Sequence, residues 1–330
     1  MRTIRWGMIG CGSVAEVKSG PGFYKADNSM LLGVYSPTAG RAQDYARRHG
    51  VPKVYATAEE MLLDAEVDAV YVATPPAFHK QYALLCAQYG KAAYVEKPMA
   101  ECYEDCQEMI VAAKRAGTPL FVAFYRRAMA RFLKVKELVD GKAIGAVRSV
   151  HVTLHRPPEP EEYDRDKLPW RLLPAIAGGG ICLDMGVHQM DIIDFIFGPV
   201  VEVYGIAGNQ ADLYDVEDIV TAVWRTATGV QGTGSWCFTC FEQRDEVEIE
   251  GSEGKIMFEF FSDKPIVVKT RAGVQEFSCP NPQHVQQPLI QSIVDELNGV
   301  GKCPSDAASA ARTTAVLDKM LDSYRKAKKA

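Results

Sequence analysis

The chain has 330 residues, of which 47% are hydrophobic and 24% are charged, a composition typical of a soluble globular protein. Its 42 acidic and 37 basic side chains give a formal net charge of −5, so no basic surplus indicates a nucleic-acid partner. No apolar run reaches the roughly 18 residues that a membrane span requires, and the length favours two domains over one.

The N-terminal stretch "MRTIRWGMIGCG" lacks the apolar core and cleavage site of a signal peptide. Nine cysteines, an odd number spread along the chain, are typical of a protein kept in a reducing compartment. Cys237 and Cys240 form C-x-x-C, but they lie in a strand-like run, where a spacing of three points the side chains to opposite faces. No second Cys/His pair accompanies them. We therefore expect a cytoplasmic protein without a metal site.

Residues 1–124 alternate between predicted strands and predicted helices. The strands are predicted over 3–10, 30–36, 67–74, 92–96 and 120–124, and the helices after the first turn and over 39–50, 78–90 and 101–117. This alternation is typical of βαβ units and a parallel sheet. The tripeptide Gly20-Pro21-Gly22 is expected to break or kink the first helix early.

The first predicted strand runs into a glycine-rich turn that matches G-x-G-x-x-A. Its residues are Gly10, Cys11, Gly12, Ser13, Val14 and Ala15. In this pattern the first glycine permits a tight turn, the second lets the backbone approach a pyrophosphate, and the small third residue allows close helix–strand packing. The phosphates are expected to lie against the free N–H groups of the following helix. The position of the motif, between a strand and a helix, predicts a dinucleotide site.

Further polar residues follow the other predicted strands of this domain. Thr74, Pro75 and His79 belong to "TPPAFH" after one strand, and Glu96 and Lys97 belong to "EKP" after the next. Ligands of parallel sheets bind beyond the carboxyl ends of the strands. We therefore expect all five residues to lie at the cofactor site.

The end of the second predicted strand bears on which nucleotide is bound. An NAD-specific fold usually has an Asp or Glu there, which holds the ribose hydroxyls. This chain has no acid at that point, but has Ser36, Thr38 and Arg41. The hydroxyls could donate to a 2′-phosphate and the guanidinium could pair with it. The sequence favours NADP, with NAD as the alternative.

Residues 125–330 are predicted to form an α+β domain with an open, mostly antiparallel sheet, because strand-like segments are joined by short turns. Two helices, at about 286–298 and 305–328, close the chain, either within this domain or packed back on the first. One sheet face is expected to be covered by helices. The other is expected to carry many apolar side chains and to form a homodimer or homotetramer, sheet to sheet.

The segment 178–198, "GGGICLDMGVHQMDIIDFIFG", contains the best candidates for acid–base chemistry in the second domain. Asp184 and His188 are four residues apart and should share a helix face, with Asp191 near the same stripe. A carboxylate beside an imidazole raises its pKa and orients it, as a general base requires.

Three motifs together resemble the glucose–fructose oxidoreductase/inositol dehydrogenase family (Gfo/Idh/MocA). They are the glycine turn, the Glu96–Pro98 motif and the Gly178–Asp191 motif. The resemblance implies an N-terminal Rossmann domain and a C-terminal open-faced sheet that carries the substrate site and the oligomer contacts. The spacing of Ser36 and Arg41 is similar to that of NADP-using members. In "TPPAFH", which follows the third predicted strand, Pro76 departs from the commoner Thr-Pro-Asn form of this motif.

The resemblance also implies roles for individual residues. Lys97 would reach the junction of nicotinamide and substrate, and Pro98 often forms a cis bond that aims it. A lysine beside a carboxylate could donate to a developing alkoxide or exchange a proton. His188 would accept the hydroxyl proton and Asp184 would orient the substrate or the imidazole, although Lys97 and His188 both stand as candidate bases. Four loop residues are expected to line the substrate pocket: Tyr125, Arg126, Trp170 and Arg171.

The leading interpretation is an NADP-dependent dehydrogenase or reductase of a sugar or cyclic polyol. A second enzyme reading, reduction of a non-sugar carbonyl or oxidation of a non-sugar diol, would use the same residues. A third is a cofactor-bound regulatory protein without turnover. The presence of Lys97, Asp184 and His188 together argues against this third reading.

Overall fold

The computed structural model describes residues 1–329, which form two compact units. The first consists of Met1–Met129 and Pro282–Ala311, and the second of Ala130–Asn281 and the chain from Arg312. The segment 282–311 thus belongs to the first unit, which is one of the two placements that the sequence left open for the last helices.

The first unit contains a six-stranded parallel sheet with helices between the strands. The elements are β1 (Ile4–Ile9), α1 (Gly20–Lys25), β2 (Ser29–Tyr35), α2 (Arg41–His49), β3 (Lys53–Val54), α3 (Ala58–Leu63), β4 (Ala69–Val72), α4 (His79–Gln88), β5 (Ala92–Val95), α5 (Tyr103–Ala116) and β6 (Leu120–Val122). The strand order is β3-β2-β1-β4-β5-β6, and every pair is parallel. This is the order of dinucleotide-binding sheets, in which the ligand crevice lies where the order reverses, between β1 and β4. Among the strands and α-helices of this part of the chain, only the short β3 and α3 have no counterpart in the predicted elements.

The first helix does not break at Gly20-Pro21-Gly22, one of the two outcomes that the sequence predicted, but its geometry changes there. A π-helical turn, Ala15–Ser19, leads directly into α1. Pro21 falls in the first turn of α1, where no intrahelical partner for a backbone N–H is needed. The glycines serve close packing: a Cβ on Gly20 would lie 2.0 Å from Tyr45 Oη.

The second unit contains an eight-stranded sheet and the helices that cover it. Its elements are α6 (Ala130–Asp140), β7 (Val147–His155), α7 (Pro174–Ala177), α8 (Val187–Phe197), β8 (Val200–Gly208), β9 (Ile219–Thr226), β10 (Gln231–Cys237), β11 (Arg244–Gly251), β12 (Gly254–Phe258), β13 (Ile266–Thr270) and β14 (Gly273–Phe277). The strand order is β14-β13-β12-β11-β7-β10-β9-β8, and all pairs are antiparallel except β7 with β10. The open, mostly antiparallel sheet is therefore confirmed, with β14 as an additional edge strand that the sequence analysis missed.

Two helices follow these strands. The first, α9 (Gln287–Leu297), belongs wholly to the first unit. The second, α10 (Ala307–Lys329), begins in the first unit and continues in the second. The return to the first unit is fixed at β6. Ser305 Oγ donates to Val122 O at 2.7 Å, and the backbone of Asp306 forms an antiparallel β-bridge with that of Phe121.

The two faces of the second sheet differ in polarity, and the expectation of an apolar outer face is wrong. Alternate residues such as Val150 and Val152 are buried on the inner face, beside Ile192 and Ile196 of α8. The outward residues of the central strands are mainly hydroxyls, imidazoles and carboxylates, including Ser149, His151, Thr153, Thr233, Ser235, Glu246 and Glu248. Exposed apolar side chains on this face include Tyr204, Ile206 and Val223 near the β8 edge and Val274 on β14 at the other edge. The number of apolar residues in a strand does not show which face of the sheet they occupy, because the register of the strand decides that.

Among residues 1–329, no helix is both long and apolar enough to cross a membrane. All nine cysteines in that range are free thiols, and no group of three or more His, Cys, Asp or Glu side chains there is arranged to hold a metal ion.

Candidate active site

The glycine turn lies at the crevice between β1 and β4. Gly10 has φ +101°, a conformation that favours glycine, and a Cβ there would lie 2.8 Å from Ala73 O. A Cβ on Gly12 would meet no atom within 4 Å, so the chain leaves open space on that side of the turn. Ser13 is exposed, whereas Ala15 is fully buried. The turn thus has a packed inner side and an open outer side, as a phosphate cradle requires.

Cys11 lies inside this turn but points into the protein. Its Sγ is 3.9 Å from Tyr35 O. Burial raises the pKa of its thiol to about 12, helped by Glu16 and opposed by the positive charge of Arg41. The side chain is therefore a packed thiol, and the charge of Arg41 is felt at the glycine turn.

The loop after β2 presents hydroxyls and a cation. The backbone N–H of Thr38 donates to Ser36 Oγ at 3.3 Å, and Arg41 is the exposed first residue of α2. In the part of the chain that the structure describes, the Arg41 guanidinium makes no hydrogen bond or ion pair. The nearest acid of this helix, Asp44, is instead held by Arg47 at 2.5 Å and by Arg48 at 2.7 Å.

The loop after β4 contains one buried polar atom without a hydrogen-bond partner among residues 1–329 and one histidine whose ring contacts two backbone carbonyls. The Thr74 side chain is buried, and its Oγ1 has no hydrogen-bond partner within residues 1–329. His79 is fully buried, with Nε2 2.7 Å from Thr74 O and Nδ1 2.9 Å from Pro98 O. Burial lowers the pKa of His79, and these carbonyl contacts oppose the shift. His79 therefore joins two strand-end loops through its ring, and its contact with the cofactor stays a prediction.

The loop after β5 holds its three residues differently. Glu96 is buried and accepts hydrogen bonds from Tyr71 Oη at 2.6 Å, Gln286 Nε2 at 2.6 Å and Lys97 N at 3.1 Å. The Lys97–Pro98 peptide bond is cis, and Pro98 is buried. Lys97 is the half-buried side chain between these two buried neighbours. Glu96 is consequently a support for the Lys97 backbone, and its contact with the cofactor stays a prediction.

The four residues expected around the substrate divide between the units. Tyr125 and Arg126 are buried in the first unit, on the 3₁₀ turn Tyr125–Ala128, where the guanidinium lies 5.4 Å from the tyrosine ring centre. Trp170 and Arg171 are exposed in the second unit, on the 3₁₀ turn Trp170–Leu172.

In the second unit, a π-helical turn, Cys182–Gly186, carries Asp184 and continues into α8, which carries His188. Asp184 is partly exposed, and His188 is buried with its ring 6.4 Å from that of Phe261. Asp191 is buried and accepts a hydrogen bond from Thr313 Oγ1 at 3.3 Å. Sequence periodicity assumed one α-helix, whereas the structure has a wider turn of the kind often found at functional sites.

Two charged residues that the sequence analysis missed hold the glycine run before this turn. Glu217 is buried, and its Oε1 accepts a hydrogen bond from Gly180 N at 2.9 Å. Arg325 donates to Gly178 O at 3.3 Å. Burial raises the pKa of the Glu217 carboxyl to about 7, although the hydrogen bonds to backbone N–H groups and the charge of Arg325 oppose the shift. The only sequence signal for Glu217 is an acidic pair directly before an apolar strand.

Comparison with known proteins agrees with this architecture. A family model described as "Oxidoreductase family, NAD-binding Rossmann fold" matches residues 4–124, and one described as "GFO/IDH/MocA C-terminal domain" matches residues 132–257. Oxidoreductase P35 of Formosa agariphila is 37% identical over 317 residues, covering 96% of this chain and 97% of that protein. The 1,5-anhydro-D-fructose reductase of Ensifer adhaerens is 29% identical, covering 90% and 89%. The crystal structure of aldose-aldose oxidoreductase from Caulobacter crescentus, complexed with glycerol, has the same fold, with a TM-score of 0.87, 22% identity and coverage of 99% and 98%.

Proposed function

Because the chain belongs to the Gfo/Idh/MocA family and is an NAD(P)-dependent oxidoreductase of CH–OH groups, we propose that it transfers hydride between NADP and a sugar or cyclic polyol. The sugar-like substrate is supported by the Ensifer relative, which is named for the reduction of an anhydro sugar. The observation that carries the choice of NADP is the unpaired guanidinium of Arg41, the first residue of α2, directly after a loop that has no carboxylate.

The residues present fit a dinucleotide. The open side of Gly12 leaves room for a pyrophosphate beside the backbone. The buried hydroxyl of Thr74, which lacks a partner in the described chain, supplies a polar atom at the adjacent strand end. Ser36, Thr38 and Arg41 would hold the 2′-phosphate by charge-assisted hydrogen bonds. When bound, NADP supplies the nicotinamide C4 that gives or takes the hydride.

The protein's part of the chemistry falls to Lys97, His188 and Asp184. In the oxidation direction, Lys97 or His188 takes the hydroxyl proton, and the Lys97 ammonium donates to the oxygen that becomes negatively charged. Asp184 orients the imidazole or a substrate hydroxyl. Tyr125, Arg126, Trp170 and Arg171 offer aromatic faces and guanidinium donors suited to a polyhydroxylated ring. These roles are the ones that the family resemblance implies, and the burial and position of each residue are compatible with them.

The nucleotide choice is tested by fluorescence titration of the protein with NADPH and NADH in parallel. We expect tighter binding of NADPH, and we expect Arg41→Ala to weaken NADPH about 10- to 100-fold, since it removes charge-assisted hydrogen bonds to the phosphate. NADH affinity should change by no more than about twofold. Arg47→Ala is the matched control, because Arg47 lies on the same helix but pairs with Asp44.

Each other outcome changes the proposal. Equal or tighter NADH binding would assign the enzyme to NAD, and binding of neither nucleotide would favour the regulatory reading. The substrate class is tested with NADPH and 1,5-anhydro-D-fructose for reduction, and with NADP and D-glucose or myo-inositol for oxidation. Turnover of a non-sugar diol in the absence of any sugar activity would overturn the substrate class.

We also propose that the outer face of the second unit's sheet joins subunits into a homodimer or homotetramer. The exposed Tyr204, Ile206 and Val223 supply apolar area at one edge of this face, and the hydroxyls and charges beside them supply polar complementarity. Sedimentation velocity at micromolar concentration should give two or four chains, and Ile206→Lys should shift the protein towards one chain. A species of one chain's mass for the wild type would contradict this proposal.

A further inference from the structure

Lys97 is flanked by two residues that are each anchored in the interior of the first unit. On one side, Pro98 O lies against the buried ring of His79. On the other side, the Glu96 carboxylate accepts the Lys97 N–H at 3.1 Å. The position of the Lys97 backbone therefore depends on what holds Glu96.

Two neutral donors hold Glu96 from different parts of the chain. Tyr71 Oη, from β4, and Gln286 Nε2, from the residue before α9, both donate to Glu96 Oε1 at 2.6 Å. Since a carboxylate only accepts, the amide nitrogen of Gln286 must be the atom that faces it. Its oxygen then accepts from Tyr94 Oη at 2.7 Å, so every hydrogen bond in this network has a defined direction.

Gln286 is itself rigidly placed. Its side chain is fully buried, and its backbone N–H donates to Lys18 O at 3.3 Å, in the helical turn that follows the glycine motif. Burial, followed by the charge of Glu96, raises the pKa of Tyr71 and Tyr94 well above the usual value, so both phenols remain donors. A buried amide with both ends hydrogen-bonded has one low-energy orientation and transmits it to its partner.

We propose that Gln286 is a positioning residue for Lys97, acting through Glu96. The inference rests on the proposed function only in giving Lys97 a reacting role. Gln286 does not touch the reacting atoms: its amide fixes the carboxylate, and the carboxylate fixes the backbone N–H from which the lysine side chain projects. Substitution of a residue that only packs would change the stability of the protein alone. Substitution of a positioning residue must change Lys97 in a way that depends on Glu96.

The test is a double-mutant cycle read at Lys97 in the absence of substrate. The rate at which formaldehyde and borohydride methylate Lys97 is followed by peptide mass spectrometry in the wild type, Gln286→Met, Glu96→Gln and the double variant. Methionine keeps the length of glutamine but donates nothing. In Glu96→Gln, the contact to Lys97 N is lost while the amide oxygen still accepts from Gln286. Lys114, on α5, serves as an internal reference.

We expect Gln286→Met and Glu96→Gln each to raise the Lys97 methylation rate about threefold or more, with the Lys114 rate unchanged, and the double variant to exceed Glu96→Gln by less than about 1.5-fold. The inference would be overturned if the rate increase in the double variant equalled the product of the two single increases, or if the Lys114 methylation rate rose equally. If Gln286→Met does not fold, Tyr94→Phe replaces it, because it removes one hydroxyl and loosens the same amide. Gln291→Met, on the helix that Gln286 precedes but hydrogen-bonded to Asp27 N and Asp295, should leave the Lys97 rate unchanged.

The readout separates the two proposals. Suppose that NADPH binds and Lys97→Met is inactive, but the effects of the Gln286 and Glu96 substitutions multiply. That result would remove only the positioning role of Gln286. If Gln286 and Glu96 are coupled but the Lys97→Met variant is active, Gln286 still positions Lys97, and only the catalytic role of Lys97 is removed.

Discussion

Replacing Lys97 with methionine should lower kcat about 10³-fold or more while leaving the NADPH dissociation constant within about threefold of the wild type. The change removes the ammonium at the half-buried position between Glu96 and Pro98 but keeps the length of the side chain. The measurement is steady-state turnover on the best sugar of the substrate panel, paired with a nucleotide titration. Lys114→Met, on the exposed surface of α5, is the matched control for the loss of one lysine.

Lys97→Arg separates the two roles proposed for the ammonium. A guanidinium donates hydrogen bonds but does not give up its proton. Partial retention of kcat in this variant would therefore favour charge stabilisation by Lys97 and leave His188 as the base. Loss equal to that of Lys97→Met would favour proton transfer by Lys97. Full activity of Lys97→Met would contradict the mechanism altogether.

Glu217→Gln should remove a pH-dependent loss of stability. Burial raises the pKa of this carboxyl from its usual 4.5 to about 7 in the folded protein, so between these pH values the folded state holds a proton that the unfolded state has released. Stability from this group is therefore fully present below about pH 4.5 and is lost as the pH rises through about 7. At about 1.4 kcal/mol per pKa unit, the loss is about 3 kcal/mol.

Glutamine is neutral at every pH and still accepts from Gly180 N, so the free energy of unfolding of the variant should lack this term. Urea unfolding at pH 5, 6, 7 and 8 should show the variant gaining on the wild type by up to about 3 kcal/mol across the series. Glu161→Gln controls for the loss of one exposed carboxylate in the same unit. A constant difference between wild type and variant at all four pH values would show that Glu217 does not change protonation on folding.

Much of the first unit could be predicted because its signals are local. β1, β2, β4, β5 and β6 are short apolar runs between helices of regular length, and the glycine turn lies within six residues. The elements that were missed are the shortest or the most exposed: β3 has two residues, and β14 is a mostly exposed edge strand. Neither carries the apolar periodicity on which the prediction depends.

The supports of the candidate site were missed for a different reason. Gln286 is 190 residues from Glu96, and Glu217 is 37 residues from Gly180. A lone Gln or Glu has no local pattern that identifies such a partner, so only the folded chain shows the pairing. The same limit explains the error at the outer sheet face, where the sequence showed the residue types but not the face to which each side chain points.

The return of residues 282–311 to the first unit has a consequence for the order in which the protein is made. Glu96 is translated 190 residues before Gln286, an interval of about 10–40 s at about 5–20 residues per second. During that time the parallel sheet is already synthesised, but one donor to its buried carboxylate is not. The N-terminal half of the nucleotide-binding unit is thus completed only after the whole of the other unit's sheet has been translated.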